Sequence, residues 1–141
     1  MRVVGLVPLF LLAFPTLAFG RDYLADAEEC IAAHSGAGST DCLRSLYADS
    51  NLEIRRLEDR IVAQSRRREQ DDTITEAHHE QAASSMRDAA RKFGKFSERQ
   101  CSFEVGYAGA AASGAGQVFF KCLLRFNEQR KAYLFDVIEK L

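Results

Sequence analysis

Four cysteines carry the covalent chemistry of this chain: Cys30, Cys42, Cys101 and Cys122. Cys30 and Cys42 straddle Gly36-Ala37-Gly38, and Cys101 and Cys122 straddle the glycine-rich stretch from Gly106 to Gly116. An even cysteine count behind an export-type N-terminus reads as a disulfide framework rather than a metal site. Four cysteines allow three connectivities, and spacing alone does not choose among them. A helical reading does, because residues equidistant from the turn of an antiparallel helix pair lie level with each other. The expected pairs are Cys30–Cys42 and Cys101–Cys122, within the short Cα separation a disulfide needs, each closure contributing about 3 kcal/mol.

Other reactive groups are less well placed. Glu76, His78, His79 and Glu80 are the one cluster of metal-ligand side chains. Adjacent histidines on a helix point about 100° apart, so one turn does not aim all four at a single ion. The cluster reads as a solvated helix face, with no metal and no cofactor. Arg66-Arg67-Arg68 followed by Glu69, Asp71 and Asp72 reads as a charged turn that complements a helix dipole. Serines are plentiful, yet none sits in a nucleophile elbow, and no histidine–carboxylate pair has acid–base spacing. No catalytic residue is assigned, and the chain does not read as an enzyme. Ser113-Gly114-Ala115-Gly116 is expected in an exposed loop, and loops on a rigid scaffold often carry binding.

The elements that must position these groups follow from composition and periodicity. Residues 1–20 combine Arg2, the apolar run Val3 to Phe14 and a small-residue end, which is the pattern of a signal peptide cleaved after Ala18 or Gly20. The apolar run is short for a membrane span. Residues 21–141 then form a single domain, expected to be soluble in the periplasm or secreted. Without Arg2, 18 basic residues face 20 acidic ones, which gives no nucleic-acid footprint. Both prolines, Pro8 and Pro15, lie in the signal segment, and Ala, Leu, Arg, Glu and Gln dominate the rest. The fold class is therefore all-α: an elongated antiparallel helical bundle of three long helices plus a short N-terminal helix, stapled by two disulfides.

The short helix is expected over about Asp22 to Ala33. Ser39 or Thr40 is placed as the cap of the second helix, which sets Leu43, Leu46, Tyr47, Ile54, Leu57 and Ile61 near one face and fades at Arg66–Arg68. Thr73 and Glu76 suggest a capping box for the third. That helix continues through Gly94, which costs about 1 kcal/mol relative to alanine and invites a bend. The fourth is expected over about Gln117 to Lys140. Phe93, Phe96, Phe103, Tyr107, Phe119, Phe120, Phe126, Tyr133 and Phe135 gather around the second cysteine pair and are assigned mostly to the core. Phe119 and Phe120 cannot both face one narrow stripe, so one of them is expected on the surface.

Three segments resemble a known family. Cys42-Leu43-Arg44-Ser45-Leu46-Tyr47 with Leu52-Glu53-Ile54 is similar to its cysteine-leucine start and leucine-bearing helix. Phe93-Gly94-Lys95-Phe96-Ser97-Glu98-Arg99-Gln100-Cys101 is similar to its tryptophan, aromatic, acidic and cysteine run. Cys122-Leu123-Leu124-Arg125-Phe126-Asn127-Glu128-Gln129-Arg130 is similar to its closing cysteine-leucine and arginine motif. The family is the LprI-like lysozyme inhibitor group, and the resemblance covers about Cys30 to Leu134. Phe93 stands where the family has tryptophan, Ser97 where it has arginine and Asn127 where it has threonine. If the missing arginine paired with its acidic neighbour, Glu98 needs another cation.

The resemblance implies a small exported bacterial protein that binds and blocks a lysozyme or related peptidoglycan hydrolase. In that reading the Gly106–Gly116 loop occludes the catalytic cleft, aided by Glu98 or Glu104 against a basic enzyme. The candidate partner-binding residues are Glu98, Glu104, Tyr107, Ser113, Gly114, Gly116 and Phe120. The alternative is an envelope maintenance factor that binds another periplasmic protein or peptidoglycan without inhibiting lysozyme.

Overall fold

The computed structural model describes residues 20–140; apart from Gly20, the export signal expected over residues 1–20 lies outside them. Four helices follow in order: α1 (Tyr23–Ala33), α2 (Ala37–Gln70), α3 (Glu76–Tyr107) and α4 (Ala112–Lys140). The described residues contain no strand. With 34, 32 and 29 residues, the long helices run about 51, 48 and 44 Å. The expected class and the number of long helices hold.

The ends differ from the expectation in detail. Asp22 caps α1, its carboxylate accepting from the Leu24 and Ala25 amides at 3.1 Å. Ser39 and Thr40 do not cap α2, which begins at Ala37 after Gly36 at φ 55°. Instead the Ser39 hydroxyl donates back to the Gly36 carbonyl at 2.8 Å. The cap of α3 is Thr75, which accepts from the His78 amide. Thr73 serves the preceding helix, its hydroxyl donating to the Arg68 carbonyl at 2.8 Å. That helix closes by a Schellman pattern: the Asp72 amide donates to Glu69 and the Thr73 amide to Arg68, with Asp72 left-handed at φ 56°.

Consecutive long helices are antiparallel, so α2 and α4 run parallel, side by side. Three polar links fix their relative height: Gln117 to Ser39 at 2.7 Å, Asn127 to Ser50 at 2.7 Å and Arg130 to Glu58 at 2.9 Å. Between the links, apolar side chains fill two regions. At one end α1 closes over Leu43, Leu46 and Leu124 with Tyr23, Ala27 and Cys30. At the other end Ile54, Leu57, Ile61 and Leu134 are covered by Met86 and Phe135. Of the three long helices α3 contributes least, with only Ala83, Ser97 and Cys101 buried.

Gly94 lies within the continuous α3, and a Cβ built there meets nothing within 4 Å. Gly94→Ala is therefore expected to raise unfolding free energy by about 1 kcal/mol, through helix propensity alone. Urea unfolding at constant m-value measures it; a destabilised variant would show that the backbone there is not helical.

Candidate functional site

Both expected disulfides are present. Cys30 and Cys42 have Cα atoms 5.7 Å apart, and Cys101 and Cys122 have theirs 5.6 Å apart. The second bond is deeply buried beside Leu123, with Tyr47, Phe119, Phe120 and Phe126 packed around it. It staples the base of the α3–α4 hairpin that holds most of the candidate residues.

The hairpin's turn is much shorter than the sequence suggested. Gly106 and Tyr107 are the last residues of α3, and Ala112 already opens α4, leaving only Ala108–Ala111 between. Gly109, at φ 60°, completes a Schellman closure: its amide donates to Gly106 and that of Ala110 to Val105. Ser113, Gly114 and Gly116 therefore lie in the first turns of α4 rather than in an open loop. Gly116 also has a packing role, since a Cβ there would come within 2.6 Å of Thr40 Cγ2 and 2.7 Å of its Oγ1. These atoms branch directly from the Thr40 Cβ, itself 3.2 Å away, so rotation about χ1 leaves that approach in place. Gly116→Ala is expected to destabilise by about 1–2 kcal/mol through overpacking, and Thr40→Ala in the same chain to restore most of it. Gly114→Ala, with nothing within 4 Å, should instead be neutral or stabilising. Thermal unfolding of the four chains decides; equal effects at 114 and 116 would refute the close approach.

The remaining candidates separate into committed and free groups. Glu104 accepts from Arg125 at 2.6 and 2.8 Å, locking α3 to α4. Glu98 is exposed and forms no ion pair among the described residues. Phe119 and Phe120 are both half-buried and meet edge to face at 5.4 Å, so neither is the exposed ring that was expected. Phe120 also packs on Tyr47 and lies under Arg44. Tyr107 is 85% exposed at the hairpin tip.

Assigning the aromatics to the core fails for Phe96, Phe103, Tyr107 and Tyr133, all of which are exposed. Their helical spacing matches that of core rings, so periodicity alone did not separate them. Phe96 touches Phe126 edge to face at 5.6 Å, and Phe103 stacks on Tyr107 at 5.8 Å.

The positions where the chain departs from the family pattern have partners of their own. Phe93 packs against Phe126 and under the Arg130 guanidinium. The buried Ser97 hydroxyl donates to the Gly94 carbonyl at 3.0 Å. The buried Asn127 amide donates to Ser50 and to Asn51 Oδ1. Arg130 joins the three long helices, because it donates to Glu58 of α2 while lying between Phe93 of α3 and Tyr133 of α4.

Near the N-terminus, Arg21 pairs with Asp26 and Asp49, and its carbonyl accepts from the buried Lys131 Nζ at 2.7 Å. Burial, and then the Glu53 carboxylate, pushes the Tyr23 hydroxyl above its ordinary pKa. On the outer face of α3, the hydrogen-bonded Lys92 ammonium lowers Asp88 below the usual carboxylate value. His78 and His79 turn to different neighbours, Thr75 and Ser65, at 2.9 and 2.8 Å. Among the described residues, no three His, Cys, Asp or Glu side chains converge on a metal-sized site.

The doubly stapled helical bundle leaves Phe96, Phe103, Tyr107 and Tyr133 exposed on its α3–α4 hairpin. The sequence profile described as Lysozyme inhibitor LprI matches residues 30–134, and the chain belongs to that family. No curated protein and no solved structure matches it significantly. No helix among the described residues is long and apolar enough to cross a membrane.

Proposed function

We propose that this chain is an exported, non-enzymatic protein that binds a lysozyme or related peptidoglycan hydrolase and blocks it. Family membership over residues 30–134 is the observation that carries this reading. Residues 1–20 serve as the signal, and residues 21–141 act as one domain in the periplasm or outside the cell, where the two disulfides persist. Contact is made by the α3–α4 hairpin as a rigid body. The four-residue turn Ala108–Ala111 is too short to thread a cleft by itself, and Gly116 and Phe120 are occupied by internal packing. Tyr107 at the tip and Glu98, which forms no ion pair among the described residues, remain available, the latter suited to the basic rim of an enzyme.

The test is the clearing of a bacterial wall suspension by egg-white lysozyme. Purified, oxidised residues 21–141 should slow clearing and reach full effect near equimolar protein. Unchanged clearing at a large molar excess would sink the inhibitor reading for that enzyme class.

A further inference from the structure

The exposed aromatic side chains share one flank of the hairpin, and that flank has a definite charge. Phe96, Phe103 and Tyr107 recur at i, i+7 and i+11, which places them within about 40° of one another around α3. On α4, Tyr133 lies two turns beyond Phe126, the ring that Phe96 touches. Together Phe96, Phe103, Tyr107 and Tyr133 expose 56, 60, 85 and 57% of their surface. At about 150–250 Å² per aromatic side chain this is roughly 500 Å², the size of a functional patch.

Cations lie beside the rings on the same helix. Lys92, Lys95, Phe96, Arg99 and Gln100 line one shallow recess. Lys92 is committed to Asp88 at 2.7 Å, whereas Lys95 and Arg99 have no carboxylate partner among the described residues. Glu104, the nearest acid toward the tip, is neutralised by Arg125. Glu98 projects about 160° away from Phe96 around the helix axis. The flank therefore offers aromatic faces and two uncommitted positive charges.

We infer that this flank seats in the acidic saccharide cleft of a muramidase, with Arg99 and Lys95 facing the enzyme's catalytic carboxylates. The inference rests on the inhibitor reading above and adds the chemistry of the contact. A glycoside hydrolase holds two carboxyl groups across the scissile bond and stabilises a positively charged, oxocarbenium-like transition state. A guanidinium or ammonium beside flat rings supplies the same charge and shape as that state, while the aromatic side chains take the place of sugar rings. A second copy of this chain is a poorer occupant, because a symmetric contact would bring Lys95 and Arg99 toward their own copies.

The experiment measures binding of the oxidised chain to egg-white lysozyme by calorimetry. Chitotriose, a saccharide ligand of that cleft, should compete. Lys95→Glu with Arg99→Glu should raise Kd at least tenfold, and Phe103→Ser should raise it severalfold. Circular dichroism and melting temperature should hold, since all three side chains are exposed. Arg55→Glu with Arg60→Glu, an equal change in net charge on exposed α2 positions, should leave Kd within twofold. Lysozyme with its catalytic Glu changed to Gln should bind the native chain more weakly than unmodified lysozyme does. Tight binding of native chain and chitotriose together, or native affinity in the Lys95/Arg99 variant, overturns this inference and leaves the inhibitor reading standing. Absence of any binding by the native chain overturns both. Concentration-dependent self-association that Phe103→Ser abolishes assigns the flank to a second copy and also overturns it.

Discussion

Arg130→Met is expected to lower the unfolding free energy by about 3–5 kcal/mol, the range for breaking one side of a buried ion pair. Arg130 and Glu58 side chains are only 12% and 10% exposed, and Nε and Nη2 of Arg130 reach one Glu58 oxygen at 3.2 and 2.9 Å. Removing the guanidinium leaves a nearly buried carboxylate between α2 and α4 without its counter-charge. It also removes the group that lies 5.7 Å from both the Phe93 and Tyr133 rings. Two further chains separate charge from packing. Arg130→Met combined with Glu58→Leu should recover most of the loss, since an apolar pair of similar volume is often as stable as the ion pair it replaces. Arg130→Lys should recover little, because an ammonium lacks the planar fork that donates twice to Glu58 while lying flat between two rings. Urea midpoints at constant m-value measure all three. A single Arg130→Met variant within 1 kcal/mol of the native chain would show that the interface admits water.

The same pair helps to fix how far α4 is shifted along α2. Parallel helices with similar Leu and Ile stripes can slide by a heptad and still bury apolar surface. Ser39–Gln117, Ser50–Asn127 and Glu58–Arg130 are satisfied together at one offset. A slide of one turn would leave each of these polar groups buried without its partner, at about 1–3 kcal/mol apiece. That interlock, more than the apolar contacts, sets the height at which the α3–α4 hairpin is held.

Helix number, order and disulfide pairing were legible in the sequence because they depend on periodicity and on symmetry about turns. Leu43, Leu46, Ile54, Leu57 and Ile61 recur on one face and are all buried. The extent of the second turn was not legible. Ala112 to Gly116 reads as loop by propensity, yet it is helical because the missing side chain of Gly116 lets α4 approach Thr40. Tertiary contact overrode propensity there. The caps slipped by two to four residues for a related reason: Ser39, Thr40 and Thr73 have cap-forming side chains but bond back to carbonyls. Glu58 drew no reading from the sequence and Arg130 entered only through the family's closing motif, although Glu58 stands at i+4 from Ile54 and i−3 from Ile61, within the apolar face. The exposed aromatic flank had no signal of its own, since an i, i+7 spacing of rings describes a core stripe equally well.

Loss of the Cys101–Cys122 bond should cost about 3 kcal/mol by the chain-entropy estimate for the 21-residue separation. The effect should be concentrated in α3. The Cys30–Cys42 bond, with a separation of 12, differs by only about 0.5 kcal/mol on the same logarithmic scale. What distinguishes the two is the surrounding structure. α1 is also held by Tyr23 and Ala27 in a buried cluster, whereas the C-terminal half of α3 buries only Ser97 and Cys101. Beyond the disulfide, that half is secured by Phe93 and Phe96 against Phe126 and by the exposed Glu104–Arg125 pair. An exposed pair contributes under about 1 kcal/mol. With Cys101→Ala and Cys122→Ala, which leave no buried hydroxyl, amide protection over residues 97–107 should fall well below that of α2. In the corresponding Cys30/Cys42 variant, protection in α3 should stay near the native level. Uniform loss of protection in both variants would show that the bundle opens only as a whole. Selective opening of α3 would also separate Phe103 and Tyr107 from the framework that aligns them with Tyr133. On the proposed function, such a variant should lose affinity for a hydrolase even at temperatures where α2 and α4 remain paired.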